Sequence, residues 1–413
     1  MREMKDSGIE WVGQIPKDWD VVPHKRVMHK VKKICEQYSG EDIISLTMNG
    51  VIKRDLTAGG KMPTSFDGYQ YVKPNDLLLC LFDIDVTPRC VGVVKDYGVT
   101  SPAYSRFVMH DGYYNAYYDY LLRAIDGDKV FVHLSKNLRS SLTESDFGAI
   151  KTCVPSLAEQ ERIAALLDAE CAEIDAVLEK TRASIEEYKK LKQAVITQAV
   201  TKGIRGDRPM KDSGIEWIGE IPAEWGVVPH KRIMHKVKEI CEQYNGEDII
   251  SLTVNGVVKR DLTAGGKMPT SFDGYQYVEP NDLLLCLFDI DVTPRCVGVV
   301  RDYGVTSPAY SRFVMHDGYY NAYYDYLLRM IDDNKVFVHL SKNLRSSLTE
   351  SDFGAIKTCA PPLAEQKCIA AFLDVRCDEI DALIAKKQQY LTEIENYKKS
   401  LIYEYVTGKK EVV

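Results

Sequence analysis

From Leu167 onward a seam recurs at alternating steps of four and three residues: Leu167, Cys171, Ile174, Leu178, Thr181, Ile185, Tyr188, Lys192, Val195, Ala199. It returns at the C-terminus as Leu373, Cys377, Ile380, Ile384, Lys387, Leu391, Ile394, Lys398, Leu401, Tyr405. A sustained apolar seam with charged residues elsewhere is the pattern of a long helix that buries a narrow stripe against a partner helix. Neither Leu157–Val200 nor Leu363–Val406 contains Pro or Gly. At ~1.5 Å per residue, each run makes a rod of about 65 Å. That is longer than a small domain is wide, so each rod acts as a spacer. Two such rods in one chain are each other's obvious partner. The polar exceptions, Thr181, Lys192, Lys387 and Lys398, cost stability but fix register.

The rods separate two copies of one globule. Lys5–Ile150 and Lys211–Ile356 align without gaps at an offset of 206, with about nine positions in ten identical. The period is too long for a solenoid and two copies are too few for a propeller. Inside each copy, Pro23–Cys35 reads as a short helix with Pro near its first turn. Short strands are expected at Asp42–Leu46, Asp76–Phe82, Cys90–Val94 and Ser105–Met109, and a helix at Tyr113–Ile125 with aromatic and Leu residues on one face. Thr201–Met210, rich in Gly, Pro and charge, is the best linker. The expected class is α+β: two mixed α/β globules (1–155 and 206–361), each followed by a spacer helix (156–205 with its linker, and 362–413). A ten-residue linker reaches at most about 35 Å, which favours antiparallel pairing of the rods with pseudo-two-fold symmetry. Two matching heads held a fixed distance apart form a ruler. Double-stranded DNA is the commonest object that repeats with inverted polarity at such distances.

The totals narrow the field. With 413 residues, 45% hydrophobic and 27% charged, the chain has ample core and is not disordered. A formal net charge of −7 argues against a protein that simply coats nucleic acid, but leaves room for a focused basic groove. No apolar run reaches 18 residues and the charged N-terminus is no secretory signal, so no membrane association is expected. Of eleven cysteines, ten fall as repeat-related pairs and Cys368 stands alone. None forms a C-x-x-C, which reads as reduced thiols in a cytosolic protein.

The opening DSGIEWVGQIPKDW, repeated as DSGIEWIGEIPAEW, resembles the start of specificity subunits of type I restriction-modification systems. So do the junction VPSLAEQERIAALLD, repeated as APPLAEQKCIAAFLD, the EIDA that follows, and the rod end AVITQAVTKG. The resemblance covers essentially the full length. It implies a non-catalytic, DNA-binding subunit with two target-recognition domains, working in host defence and DNA methylation in a bacterial or archaeal cytoplasm, associated with the nucleoid. It implies double-stranded DNA, two methyltransferase subunits and two restriction/translocase subunits as partners. S-adenosylmethionine, ATP and Mg would sit on those partners, with no cofactor on this chain. The recognition domains of such subunits generally differ. Near-identical ones predict an inverted-repeat site whose half-site centres lie about 34 Å apart.

Base readout calls for Arg, Lys, Asn and Gln, with further basic groups on phosphates. The densest such patch is Ser135–Ser141, holding Lys136, Asn137 and Arg139, repeated as Lys342, Asn343 and Arg345; the alternative is a solvated loop. Lys53, Arg54 and Lys61 follow, with Lys259, Arg260 and Lys267; there the alternative is an ordinary hairpin. Tyr69, Arg89 and Arg106, with Tyr275, Arg295 and Arg312, could equally pin a strand or fill the core. The Lys25–Lys33 basic cluster reads as a polar helix face. One caution applies to it: Lys33 becomes Glu239 in the second copy. His24 and His29 are off a common helical face, so no metal site is expected. Tyr113–Tyr120 resembles a base-stacking array but reads better as core. No phosphate loop and no adenine-methyltransferase motif is present, and Glu187-Tyr188-Lys189 lies on the rod without a pocket. No catalytic residue is expected. The competing classes are a coiled-coil scaffold that binds protein only and a self-contained nuclease or methyltransferase.

Overall fold

Apolar runs of three to five residues bounded by turn residues cannot make long strands, and the strands of each head are accordingly short. The computed structural model describes residues 2–47, 50–57, 63–86, 91–127, 129–135, 140–253, 256–263, 269–293, 296–341 and 346–412. The chain divides into two compact units, Met1–Arg182 with Gln389–Val413, and Ala183–Gln388. Each unit therefore holds one head, the first part of the helix that follows it and the last part of the other helix.

In the first unit, β1 (Met4–Asp6) pairs with β2 (Gln14–Pro16) as an antiparallel ribbon. β3 (Asp20–Pro23) leads to β4 (Met28–Val31), β5 (Ile43–Thr47), β6 (Gly50–Lys53), β7 (Gln70–Val72), β8 (Leu77–Leu79), β9 (Val91–Val93), β10 (Gly98–Thr100) and β11 (Ser105–Met109). Helices α1 (Asn115–Gly127), α2 (Val130–Leu134) and α3 (Glu144–Ala149) precede β12 (Lys151–Val154) and the long α4 (Leu157–Lys202). One sheet has the order β4–β11–β8–β9, antiparallel throughout; the other has the order β6–β5–β10–β7, with β5 and β10 parallel. Gly98 allows β10 to run against β5, since a Cβ there would collide with the carbonyl oxygen of Asp42. β3 and β12 form a third, two-stranded sheet that closes the head beside α4.

The Pro23–Cys35 helix expected from sequence does not form. Pro23 is extended (φ −72°, ψ 148°), His24–Arg26 make a single 3₁₀ turn, and Met28–Val31 is a strand. Its backbone donors and acceptors are taken by β11, with Met28 facing Met109 and Val31 facing Arg106. A ladder from a distant strand outweighs weak local helix signals. The other elements form close to their expected places. The core of the unit joins Trp19, Leu77, Phe107, Tyr117, Tyr118, Leu121, Phe131 and Phe147 to Ile163 and Leu167 of α4.

The second unit repeats this architecture: its two four-stranded sheets, ribbon and closing sheet match those of the first. Its helices are α5 (Asn321–Asp333), α6 (Val336–Leu340), α7 (Glu350–Ala355) and the long α8 (Leu363–Val406).

Within each unit the two long helices run antiparallel. In the first, Asp175 accepts from Lys398 Nζ at 2.6 and 2.7 Å, and Arg182 donates to Glu395 at 2.6 Å. In the second, Lys192 Nζ reaches Asp381 at 2.6 Å and Lys387 Nζ lies 5.6 Å from the Tyr188 ring centroid. In both, rising numbers on one helix meet falling numbers on the other. The seam is inside: Leu167, Cys171, Leu178, Ile185, Leu373, Cys377, Ile380 and Leu401 are all buried. Its two shared lysines extend out of the stripe to an aspartate of the facing helix, while Thr181 turns its hydroxyl back to the Val177 carbonyl at 2.8 Å.

Candidate nucleic-acid interface

Each head is fixed to its helix by the residues of the opening and junction motifs. Glu159, in the first turn of α4, is buried and accepts from Trp19 Nε1 at 3.0 Å. Arg2 pairs with the same carboxylate and with Asp18, and these two bonds push the Arg2 guanidinium well above its usual range. Gln160 donates to the Pro155 carbonyl (2.9 Å) and accepts from Tyr114 N (2.8 Å). The second unit repeats the pin: Trp225 Nε1 to Glu365 at 2.9 Å, Arg208 to Glu365 at 2.6 Å, and Gln366 to Pro361 O at 2.8 Å. The end of the other helix closes each core. Val406 O accepts from Tyr117 in the first unit, and Val200 O from Tyr323 in the second, both at 2.8 Å.

The expected contact residues separate into three groups. Lys53 and Arg54 end the β5–β6 hairpin; Lys53 Nζ pairs with Asp42 at 2.7 Å, a bond that raises its pKa, and its side chain stays exposed. Lys259 repeats this with Asp248 at 2.7 Å, and Arg260 is exposed. Arg54 is half-buried. Tyr69 is half-buried, edge-on to Phe66 with ring centroids 5.2 Å apart, and Tyr275 repeats the contact with Phe272. Arg106 and Arg312 are removed from the set. Both are buried, and each donates through Nε to a buried aspartate, Asp76 or Asp282, at 2.6 Å. They tie β11 and its counterpart to the turn before β8 and its counterpart, because a guanidinium in the core needs an anion beside it.

Lys61, Arg89, Lys136, Asn137, Arg139, Lys267, Arg295, Lys342, Asn343 and Arg345 lie outside the described residues. Their described neighbours are nonetheless informative. Ile84 N donates to Ser140 O at 3.1 Å and Leu142 N to Leu81 O at 2.8 Å. The stretch leading to Arg89 is thus bonded to the stretch that follows Arg139. The second unit repeats both bonds, at 3.0 and 2.8 Å. Beside them Phe82 and Val86 are 40% and 74% exposed, with Phe288 and Val292 at 41% and 73%. Sequence reading missed these apolar side chains, since FDIDV has no periodicity that separates the buried Ile84 from its exposed neighbours.

The tyrosine run is settled by burial: Tyr117 and Tyr118 are fully inside, and Tyr120 donates to Asp168 at 2.7 Å. Among the described residues no three His, Cys, Asp or Glu side chains are grouped to hold a metal. No described helix is long and apolar enough to cross a membrane.

No family model matches the chain. A provisionally assigned type I restriction enzyme specificity subunit from Methanocaldococcus jannaschii, MjaX, is 23% identical over 435 residues, covering 97% of this chain and 96% of that protein. The type I restriction enzyme MjaVIII specificity subunit of the same organism is 26% identical over 288 residues, covering 64% and 63%. Among solved structures, a chain from a study of assembly and conformational transition in a type I R-M system superposes with a TM-score of 0.71 at 14% identity, over 96% of this chain and 99% of that one. The HsdS subunit from Thermoanaerobacter tengcongensis gives 0.50 at 16%, over 96% and 98%.

The chain is similar to specificity subunits of type I restriction enzymes along nearly its whole length, and it shares the fold of the solved ones.

In this chain the heads differ at fifteen of 146 aligned positions, and Lys53–Val72, Pro74–Val94 and Lys129–Ile150 are unchanged in the second copy. The changes of charge fall elsewhere. Lys33 Nζ lies 5.4 Å from the Tyr71 ring centroid, whereas Glu239 in the same place is 3.6 Å from Arg312. His24 and His230 are fully buried, with no partner on either ring nitrogen. Burial holds their pKa values down, to about 4 and about 3.

Proposed function

We propose that this chain is the DNA-reading subunit of a type I restriction-modification complex and performs no chemistry itself. Each head reads one half of a bipartite site, and because the heads are near-copies the site is an inverted repeat. Its half-site centres lie about one DNA turn, roughly 34 Å, apart. The long helices space the heads and offer outward faces to two methyltransferase subunits, which the restriction/translocase subunits join. S-adenosylmethionine, ATP and Mg belong to those partners, and the complex works in the cytoplasm.

One observation carries the reading. The segments holding Lys53, Arg54, Lys61, Arg89, Lys136, Asn137 and Arg139 recur unchanged in the second head, in a chain similar to specificity subunits along nearly its whole length. Surface loops with no catalytic group have no reason to be repeated residue for residue unless both copies meet the same target.

Methylome mapping of a host carrying this chain with its methyltransferase partner tests the proposal. The expected result is methylated adenine in both arms of a hyphenated inverted repeat. Two unrelated half-sites would refute the symmetric reading. Salt-independent duplex binding, or none, by the purified chain would favour a protein-only scaffold.

A further inference from the structure

The outer face of the β6–β5–β10–β7 sheet carries a small aromatic cluster in which Tyr38, Phe66, Tyr69 and Tyr71 cover Cys35, Ile43 and Val99. Its outermost member is Tyr97, 58% exposed, stacked on Tyr71 with ring centroids 6.1 Å apart and planes 18° from parallel. Lys33 lies over the Tyr71 ring, and the Lys33 carbonyl accepts from Tyr71 N at 2.8 Å. Lys73, exposed, is two residues beyond Tyr71. Lys53 and Arg54 end the strand at the edge of the same sheet. The second unit keeps the stack, Tyr277 on Tyr303 at 6.0 Å and 13°. It reverses the charges around it: Glu239 stands for Lys33 and Glu279 for Lys73.

We propose that the Tyr71–Tyr97 stack with Lys33 and Lys73 is an auxiliary DNA contact present in the first unit and absent from the second. It makes two heads that read the same bases unequal in affinity. The two ammonium groups meet backbone phosphates, while the exposed Tyr97 ring packs on a sugar or an unstacked base, a contact every nucleotide can offer. The four-charge difference at these two positions selects the occupant. Glu41 accepts from the Tyr71 hydroxyl and Glu247 from that of Tyr277, so each platform carries one carboxylate. Adding Lys33 and Lys73 favours a polyanion with π-faces, and adding two further glutamates repels it. The base-reading segments are identical, so the inequality acts on affinity and not on sequence preference. This inference rests on the DNA-reading function proposed above.

The internal repeat supplies variants that should fold, because each charge exchange installs the residue the other unit already carries in matching surroundings. The probe is a 30-base-pair duplex of unselected sequence, titrated with full-length chain by fluorescence anisotropy across a salt series. Lys33→Glu with Lys73→Glu is expected to weaken binding about tenfold at low salt and to flatten the log K against log salt slope by about 1.8, for two phosphates lost. Tyr97→Ala is expected to weaken binding about tenfold with the slope kept, since stacking carries no counterion release. Glu239→Lys with Glu279→Lys is expected to tighten binding and steepen the slope. Unchanged affinity and slope in Lys33→Glu/Lys73→Glu, while the unaltered chain keeps its steep salt dependence, would overturn the contact and leave the DNA-reading function standing. An unaltered chain with no salt-dependent duplex binding would overturn both.

Discussion

The two heads and the two long helices answer the same duplication differently. The heads retain about nine positions in ten, whereas α4 and α8 share little beyond LAEQ, IAA, EIDA, YKK and the seam. The structure supplies a reason for LAEQ, IAA, EIDA and the seam, though not for YKK, which falls three residues out of step in the two copies. Glu159 and Gln160 pin the head, Ile163 and Leu167 enter its core, and the seam pairs the helices. Asp175 and Asp381 accept from the seam lysines Lys398 and Lys192. Their exposed faces are otherwise free to drift, because a solvated side chain on a long helix changes stability by only a few tenths of a kcal/mol. In the heads, exposed loops such as Phe82–Val86 are held constant as strictly as the core. Packing does not require that, so a shared ligand is the economical explanation. Lys33 meets the Tyr71 ring where Glu239 meets Arg312, whereas the exchange of Lys73 for Glu279 has no explanation in burial or packing.

This contrast can be broken or sharpened experimentally, and the heads should give the largest effects. Arg106→Ala strands the buried Asp76 carboxylate and should cost about 3–5 kcal/mol, seen as a lowered denaturant midpoint. Base preference among surviving folded molecules should not change. A new sequence preference would return Arg106 to the interface.

Next in size is a pH effect confined to the heads. His24 and His230 have native pKa values below the unfolded value of 6.5, so the unfolded chain takes up protons first as the solution is acidified. Their contribution to stability is complete above pH 6.5 and drains away as pH falls towards about 4 for His24 and about 3 for His230. At ~1.4 kcal/mol per unit, each loses roughly 3 kcal/mol by pH 4, and His230 roughly 5 kcal/mol over its full range. Denaturant midpoints measured from pH 7 to 4 should fall, and His24→Asn with His230→Asn should flatten the profile. An equal slope in that variant would place the titration elsewhere.

The smallest effect belongs to the helices. Lys398→Asp puts a carboxylate opposite the exposed Asp175 and should cost ~1 kcal/mol or less, and adding Asp175→Lys should recover it. If the exchanged pair does not recover, the lysine acts through its stem in the seam and not through its charge.

Much of this was legible in the chain itself. The seam marks a helix because a 4–3 spacing is a local property, and the buried residues of α4 and α8 named above, apart from Val200 and Val406, sit on it or in the junction motif. Of the strands described in the first head, β5, β8, β9 and β11 were legible for the same reason, whereas the other eight, three or four residues long, were not. Arg106 was not, since its spacing along β11 cannot tell a guanidinium that meets Asp76 from one that meets phosphate. Pro23–Cys35 was misread because Met28–Val31 takes its conformation from β11, far along the chain. Phe82 and Val86 escaped notice because exposure of an apolar residue depends on which neighbours happen to cover it.

The duplication, the helical spacers and the pairing stripe were determined by sequence alone, since each rests on periodicity or on residues adjacent in the chain. Tertiary structure decided the composition of the units. Each is completed by the far end of the other helix, through bonds such as Tyr117 to Val406 and Tyr323 to Val200. No pattern in either partner announces such a bond, because burial of a hydroxyl beside a distant carbonyl is a property of the packed chain and not of any segment within it.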